Sequence, residues 1–349
     1  MGSYAFPPPP PTIDPTPIAD IDGIVERLAA NKAAWAKTSI DERLVMLDRL
    51  QQGVKDVAAE WADAGMQAKG LSPDGPFAAE EWLGGPMVTA RNVTLLQQTL
   101  RQIRDHGRPQ IPDGAISQRA DGRVVVQVMP LSTIDKLMCG GFTAEVWQQP
   151  GVTRATLHDH LAEHYREPNL EGALSLVLGA GNVSSIGPMD ALYKLFNEGE
   201  IVILKMNPVN EYIGPFVRRA FQPLVDAGYF EVVYGAAKEG AHLCQHPLVD
   251  NIHITGSDAT HDAIVWGPRE GREERKASGE KALDKPITSE LGCVTPVIVV
   301  PGEWSDKELQ FQAESVATMV TNNASFNCNA AKLLVTSADW PQRDEFVRR

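Results

Sequence analysis

The chain has 349 residues, of which 43% are hydrophobic and 22% are charged, and its formal net charge is −13. These values are ordinary for a soluble globular protein with room for two domains. Proteins that bind nucleic acid or an anionic membrane usually carry a basic excess, and this chain does not. It also has no long apolar run and no basic-then-apolar leader, so we expect a cytoplasmic protein without membrane partners.

The first part of the chain predicts a proline-rich arm followed by helices. Residues 7–11 are all proline, and proline fixes φ and donates no backbone hydrogen bond. We therefore predict a disordered arm over residues 1–19. From residue 20 to residue 70 the apolar side chains follow helical spacing, and Ser39 and Glu42 have the spacing of a capping box.

The next segment predicts more helix and then an extended excursion. Helix is expected over residues 80–103, between connections rich in Gly and Pro. Residues 124–128 and 142–147 are rich in β-forming side chains. Together they predict a hairpin-like excursion.

From residue 173 onward, short apolar runs alternate with amphipathic helical segments. This alternation is typical of a parallel sheet with crossover helices, which binds ligands at the carboxyl ends of its strands. The predicted strands of this series are residues 173–178, 201–204, 230–234 and 252–255, with helices ending near residue 195 and spanning 211–227.

A second series follows a stretch dense in charge. Residues 267–286 contain many Arg, Lys and Glu and are predicted to be a solvated insertion. Strands are then expected at 296–300 and 332–335, on either side of a helix over 305–321. The second series therefore predicts a further α/β unit.

The four cysteines match no zinc or CxxC spacing, and free thiols in a reducing compartment are expected. Cys328 lies among small polar residues before a predicted strand. A cysteine thiolate is a good nucleophile in general, but the commonest free cysteine is a small buried side chain. For Cys139, Cys244 and Cys293 we predict small buried side chains.

Three histidines form a small cluster in the sequence, at His158, His160 and His164. His160 and His164 would share one face of a helix, but no carboxylate completes a convincing metal site. We predict a solvated helix and no metal.

Five segments occur in an order that resembles the aldehyde dehydrogenase superfamily, over roughly residues 20 to 336. They are residues 179–182 (Gly-Ala-Gly-Asn), 203–205 (Ile-Leu-Lys), 254–257 (Ile-Thr-Gly-Ser), 288–292 (Thr-Ser-Glu-Leu-Gly) and 326–330 (Phe-Asn-Cys-Asn-Ala).

The resemblance implies oxidation of an aldehyde to a carboxylic acid with NAD or NADP. It implies that Cys328 forms the thiohemiacetal and thioester and that Glu290 is the base for thioester hydrolysis. The Asn182 amide and the backbone N–H of Cys328 would stabilise the developing oxyanion.

The resemblance also implies a cofactor site. Lys205 would reach the adenosine ribose, while Gly256 and Ser257 would hold the pyrophosphate at a helix N-terminus. The cofactor-site prediction further includes Ala180, Gly181 and Leu291.

The implied fold is α/β: a Rossmann-like parallel-sheet cofactor domain, the start of a second α/β catalytic domain and the β-hairpin-like excursion. The predicted divisions are the arm (1–19), the NAD(P)-binding domain (20–122 and 151–287), an oligomerisation-type excursion (123–150) and the N-terminal part of a catalytic domain (288–349). Members of this superfamily continue well beyond the position of Arg349, so we expect a truncated form that would be a homo-oligomer if full length.

Several positions depart from the superfamily pattern and keep alternatives open. Ala180 and Gly181 replace Pro-Trp, Cys293 replaces a glycine, and Pro208 replaces a glutamate frequent in NAD-preferring members, so NADP is not excluded. One alternative is a CoA-acylating relative, although such relatives tend to lack the counterpart of Glu290. The other is a non-catalytic, truncated dinucleotide-binding protein.

Overall fold

The N-terminal arm packs against the body of the protein. The computed structural model describes residues 7–167 and 171–349. The Thr16 N–H donates to the Tyr234 carbonyl at 3.1 Å, and the Tyr234 N–H donates to Thr16 Oγ1 at 3.0 Å. The Ile13 N–H is bound in turn by a Glu211 carboxylate oxygen at 2.9 Å.

These hydrogen bonds fix an extended segment before the first helix, which differs from the arm predicted to be disordered throughout. Residues 1–6 of that predicted arm lie outside the described residues. The two reciprocal bonds between Thr16 and Tyr234, one to a backbone carbonyl and one to the Thr16 hydroxyl, hold the segment although its prolines cannot donate.

Four helices follow, and they include the two helical regions predicted from periodicity. They are α1 (Ile18–Ala36), α2 (Ile40–Lys69), α3 (Ala78–Trp82) and α4 (Val88–His106), the last two joined by a π-helical turn (Leu83–Met87). Ser39 caps α2 by accepting from the Glu42 N–H, while the Glu42 side chain accepts from the Ser39 N–H, which confirms the capping box.

The excursion forms a three-stranded antiparallel sheet. Its strands are β1 (Ile116–Gln118), β2 (Val124–Met129) and β3 (Ala144–Trp147), in the order β1-β2-β3, and helix α5 (Thr133–Met138) lies between β2 and β3. The two predicted strands are confirmed, and β1 and α5 were missed. Ser132 and Asp135 form a capping box at the start of α5, and this short signal was present in the sequence.

The largest element is a five-stranded parallel sheet with the order β6-β5-β4-β7-β8. In chain order its elements are β4 (Leu174–Leu178), α6 (Ile186–Phe196), β5 (Ile201–Lys205), α7 (Gly214–Ala220), α8 (Gln222–Asp226), β6 (Phe230–Val233), α9 (Ala237–Gln245), β7 (Asn251–Gly256), α10 (Asp258–Trp266), α11 (Arg272–Ser278) and β8 (Ile287–Leu291).

This sheet confirms the predicted α/β fold with a parallel cofactor-type sheet. Strands β4, β5 and β6 are buried along their whole lengths, as parallel strands between two helical layers should be. The helix predicted over 211–227 is divided after Ala220, because Pro223 at the start of α8 has no N–H to continue the helix. The exposed helix α11 lies in the charged stretch predicted to be solvated.

Strand β8 was not predicted, because its Thr-Ser-Glu sequence is polar. It is the edge strand of the large sheet and pairs with β7, so this sheet continues through Leu291. The domain divisions themselves stay predictions.

The last part of the chain forms a small α/β unit that contains the two strands and the helix predicted there, and a C-terminal helix that was not predicted. Its elements are β9 (Pro296–Val299), α12 (Asp306–Thr321), β10 (Leu333–Thr336) and α13 (Arg343–Arg348), and β9 and β10 are parallel. Trp304, Trp340 and Phe346 pack edge to face in its small core, with the two indole rings 5.0 Å apart. No helix in the described ranges is both long and apolar enough to cross a membrane.

The histidine cluster differs from the prediction. His158 and His160 lie on one 3-10 helix (Leu157–His160), and His164 lies on another (Glu163–Arg166), with Ala162 in a left-handed conformation between them. His160 and His164 therefore do not share the face of one helix.

Candidate active site and cofactor cleft

Cys328 lies in the turn between α12 and β10, and it is half-buried. Its Sγ is 3.7 Å from the Asn327 side-chain oxygen. The Lys332 ammonium donates to the carbonyl of Ser325 at 2.7 Å and to that of Ala330 at 3.0 Å. One lysine therefore holds the turn on both sides of the cysteine.

The segment before Cys328 follows an unusual backbone path. Asn323, Ala324 and Ser325 have φ values of 52°, 51° and 69°, in the left-handed region. Such a conformation costs a non-glycine residue on the order of 1–2 kcal/mol, and asparagine tolerates it best. Glycine alone would adopt such a φ without this cost.

Asn182 follows β4 and contacts the segment that carries Cys328. Its Nδ2 donates to the Phe326 carbonyl at 2.9 Å, and its own carbonyl accepts from Asn323 Nδ2 at 3.0 Å. Asn323 in turn accepts from the Lys69 ammonium, which also pairs with Glu81. The structure therefore brings Asn182 close to the turn of Cys328, with its amide already bonded to a backbone carbonyl.

Gly181 is required by a close approach. A Cβ at this position would lie 2.8 Å from the Asn207 side-chain oxygen, which itself accepts from the Val209 N–H at 3.0 Å. The neighbouring Ala180 is buried, and its carbonyl accepts from Asn210 at 3.4 Å. The small residues that replace Pro-Trp thus make room for asparagine side chains.

Glu290 lies on the edge strand β8, where it is exposed and pairs with Thr255 of β7. Leu291 follows it, half-buried, opposite Gly256. Thr295 links this strand to the Cys328 turn, because its hydroxyl donates to the Cys328 carbonyl at 3.0 Å. Glu290 therefore lies on the large sheet, whereas Cys328 lies in the turn that leads to β10.

The other cysteines divide into three environments. Cys244 is buried as predicted, and burial raises the pKa of its thiol to about 11. Cys139 is partly buried. Cys293 is exposed, so the prediction of a buried side chain is wrong there. Its Sγ accepts from the Thr295 hydroxyl and N–H, both at 3.2 Å, and these bonds lower the pKa of the thiol.

A cleft of about 580 Å³ lies at the carboxyl ends of β4, β5 and β7. Three predicted cofactor residues line it, namely Lys205, Gly256 and Ser257. Lys205 is only 7% exposed, and desolvation lowers the pKa of its ammonium against the opposing charges of Glu239 and Glu211. The structure thus brings these three residues together.

The cleft has the features that a dinucleotide needs. Ser257 caps α10 by accepting from the Thr260 N–H at 3.1 Å, so the helix N-terminus faces the cleft mouth. Helix N-termini attract anions through free N–H groups. Small side chains give the wall room for a flat ring system, and they are Gly179, Ala236, Ala237, Gly240, Ala241 and Ala263.

A second cavity of about 840 Å³ lies beside Asn182. Its walls include the rings of Phe77, Tyr212 and Phe326 and the proline-rich arm. Burial raises the pKa of Tyr212 to about 12, so its hydroxyl stays neutral. This cavity is mainly apolar and reaches Ala324 and Phe326, in the segment that precedes Cys328.

A model of the aldehyde dehydrogenase family matches residues 151–349. The chain belongs to this family. Among curated relatives, 4-trimethylaminobutyraldehyde dehydrogenase A of Danio rerio is 26% identical over 155 residues, which are 43% of this chain and 27% of the relative. The Homo sapiens enzyme of that name is 40% identical over 75 residues, 22% of this chain and 13% of the relative.

Solved aldehyde dehydrogenases share the fold. A glyceraldehyde-3-phosphate dehydrogenase from Methanocaldococcus jannaschii, complexed with NADP, aligns with a TM-score of 0.63 at 13% identity, over 96% of this chain and 58% of that one. A mutant aldehyde dehydrogenase C from Pseudomonas syringae, complexed with NAD+ and octanal, aligns with a TM-score of 0.59 at 16% identity, over 94% and 52%. The chain thus spans about half the length of these structures.

Sequence reasoning missed several residues that organise the site of this aldehyde dehydrogenase family member. Lys332 and Thr295 hold the Cys328 turn, and Asn323 joins it to Asn182. The asparagine preference for positive φ is a weak signal for Asn323. A lysine before a strand and a threonine after a loop carry no comparable signal.

Proposed function

We propose that this family member oxidises an aldehyde to a carboxylic acid with NAD or NADP, and that Cys328 is the nucleophile. The observation that carries this proposal is the pair of hydrogen bonds between Asn182 and the segment of residues 323–326. They join an amide donor to the backbone two residues before Cys328, the only cysteine between α12 and β10. Family membership and the cofactor-sized cleft support the same reaction.

The residues of the cleft suit either dinucleotide. Lys205 would bind the adenosine ribose hydroxyls or a 2′-phosphate, and the N-terminus of α10 at Ser257 would hold the pyrophosphate. A nicotinamide dinucleotide held by these residues would supply the hydride acceptor of the reaction. Pro208, also at the cleft, offers no carboxylate that would repel a 2′-phosphate.

The protein side of the reaction uses three groups. The Cys328 thiolate adds to the carbonyl carbon, and the Asn182 amide with the Cys328 N–H would stabilise the oxyanion of the thiohemiacetal. For this the Asn182 amide has to exchange the Phe326 carbonyl for the substrate oxygen. After oxidation, Glu290 takes a proton from the water that cleaves the thioester, and the acid leaves with the thiol restored.

The cavity beside Asn182 is the proposed aldehyde site. Its aromatic walls, Phe77, Tyr212 and Phe326, favour an apolar chain, and the same rings would bind a quaternary ammonium group by cation–π attraction. Octanal and 4-trimethylaminobutyraldehyde therefore make a useful substrate pair. Oxidation of octanal but not of 4-trimethylaminobutyraldehyde would indicate that the cavity selects apolar aldehydes.

A second candidate function is dinucleotide binding without catalysis. The observation that favours it is the same Asn182 amide, which is already bonded to the Phe326 carbonyl, together with the exposed position of Glu290 on β8. A protein of this kind would bind the cofactor and leave aldehydes unchanged.

Absorbance of the reduced cofactor separates the two functions. We expect the purified chain to reduce NAD or NADP with an aldehyde, and the Cys328→Ala variant to lose activity by at least about 1,000-fold, because the covalent route is closed. The matched control is Cys139→Ala, which removes a partly buried thiol outside the site. Equal rates for wild type and Cys328→Ala would contradict the proposal.

The Glu290→Gln variant tests the deacylation step. We expect one rapid equivalent of reduced cofactor followed by slow turnover, because the thioester forms but hydrolyses slowly. Faster release on addition of coenzyme A would indicate the acylating alternative. Cofactor binding with no reduction by any variant would support the binding-only function.

A further inference from the structure

Two i, i+4 pairs face each other across the contact between α1 and α9. Asp22 and Glu26 are one turn apart on α1, while His242 in the last turn of α9 and its C-cap His246 are four residues apart. Residues four apart lie on one side of a helix. His242 Nε2 is 2.6 Å from Asp22 Oδ1, and His246 Nε2 is 3.6 Å from the same oxygen.

The imidazole rings of His242 and His246 lie close to each other and to the Asp22 carboxylate. Their centroids are 5.8 Å apart at a near-perpendicular angle of 74°. The ligand atoms of Asp22, His242 and His246 all lie within 4.8 Å of one another. The side chain of His246 is 11% exposed and that of His242 33%, so the cluster is sheltered but open to small ions.

We propose that Asp22, His242 and His246 form a binding site for a divalent transition-metal ion of the zinc class. Two imidazole nitrogens and one carboxylate oxygen are the ligand types that such ions prefer, with a fourth position left for water or another carboxylate. The site would join α1 to α9.

The observed separations are close to those that coordination requires. Bonds of about 2.0–2.2 Å in tetrahedral geometry place ligand atoms roughly 3.3 Å apart. The Asp22–His246 separation of 3.6 Å already meets this value, and the Asp22–His242 separation of 2.6 Å is that of a hydrogen bond. For tetrahedral coordination His242 Nε2 has to move about 0.7 Å away from Asp22 Oδ1, and the two imidazole nitrogens, which lie within 4.8 Å of each other, have to come to about 3.3 Å.

The charged side chains around the cluster have opposite effects on the binding of a cation. Glu26 is exposed one turn after Asp22 and adds negative charge near His246. Lys285 donates to the His246 carbonyl and adds a positive charge that opposes a second cation.

One hydrogen bond has to be given up for metal binding. His246 Nδ1 accepts from the Leu248 N–H at 3.2 Å, so in this state the ring carries its proton on Nε2. Coordination through Nε2 moves the proton to Nδ1 and breaks that bond. We therefore expect an affinity below that of structural zinc sites, whose histidines donate their second nitrogen to a partner.

The position of α9 connects this site to the cofactor cleft. Gly240, Ala241 and Cys244 of the same helix line the cleft, while His242 faces α1. A metal that holds α9 against α1 would therefore stabilise one wall of that cleft.

Zinc titration of the full chain by calorimetry tests the site. We expect one equivalent of Zn²⁺ and a rise in Tm, and a His242→Gln/His246→Gln double variant should lose affinity by about 100-fold or more. The matched control is His158→Gln/His160→Gln, which removes two histidines outside the cluster and should bind as wild type does. Equal affinity of wild type and the His242/His246 variant would overturn the proposal.

Cobalt spectroscopy distinguishes this cluster from the cysteines. Co²⁺ at the proposed site should give weak visible bands that the His242/His246 variant lacks, without thiolate-to-cobalt charge transfer. A strong charge-transfer band that alkylation of Cys293 and Cys328 abolishes would overturn it. If the double variant does not fold, Asp22→Asn serves instead, and an unchanged Co²⁺ spectrum in that variant would count against the site.

Discussion

The large and the small parallel sheet bury their apolar residues very differently. In the large sheet, every residue of β4 and β5 is buried, and Leu204 is 0% exposed. In the small sheet, Ile298 of β9 is 70% exposed and Leu333 of β10 is 51% exposed. The strands have similar apolar sequences, so sequence alone does not set their burial.

The difference comes from what covers each sheet. Helices pack on both faces of the large sheet, which is how parallel sheets are normally buried. The small sheet packs one face on α12 and α13, around Val299, Leu309 and Phe346. Its other apolar side chains, with Phe311 of α12, remain exposed among the described residues. Extended apolar surface of this kind usually marks an interaction site.

The largest expected effect comes from shortening a buried leucine. Leu204→Ala should lower the free energy of unfolding by about 2–5 kcal/mol, because it removes buried methyl groups and leaves a cavity in the large sheet. Leu333→Ala should cost less than about 1 kcal/mol, since the side chain is half exposed. Urea denaturation of both variants measures the difference. Similar losses would mean that the small sheet is covered in solution.

A smaller effect is expected from a glycine pair in the helical layer. A Cβ at Gly53 of α2 would lie 2.4 Å from the Ala220 carbonyl oxygen of α7, whereas a Cβ at Gly23 of α1 meets nothing within 4 Å. Gly53→Ala should therefore destabilise by about 1–3 kcal/mol through overpacking. Gly23→Ala should stabilise by up to about 1 kcal/mol, because alanine favours helix.

Thermal unfolding measures both alanine variants, which have the same composition because each replaces one helical glycine with alanine. A lower Tm for Gly53→Ala and a higher Tm for Gly23→Ala would support a rigid contact between α2 and α7. A Tm for Gly53→Ala at or above that of the wild type would show that α2 and α7 can shift enough to accommodate the added methyl group.

The difference in burial between the sheets also explains which elements could be predicted from the sequence. Strands β4 to β7 were found because apolar runs separated by amphipathic helices give a strong pattern. Strand β8 was missed because an edge strand can be polar, and α7 and α8 were read as one helix despite Pro223. Contacts such as Asn182–Phe326, 144 residues apart, follow only from the folded topology.

The smallest predicted effect is a pH dependence of the stability that comes from His164, in the part of the protein that contains the large sheet. His164 packs against Gly199, where a Cβ would lie 1.8 Å from the imidazole, and against the Tyr165 ring at 5.1 Å. Burial lowers the pKa of His164 to about 4, helped by the charge of Arg43 and opposed by that of Glu198. Residues 288–349 contain no histidine.

The sign follows from the proton balance between the two states. Between pH 6.5 and about 4 the unfolded chain protonates this imidazole and the folded chain does not, so stability is full above pH 6.5 and falls as the pH is lowered. The expected loss is about 1–2 kcal/mol after allowance for solvent screening. Denaturant melts at pH 7 and pH 4.5 should show a smaller difference for His164→Gln than for wild type. The exposed neighbour His160→Gln should keep the wild-type difference, and if it lost as much as His164→Gln, burial would not be the cause.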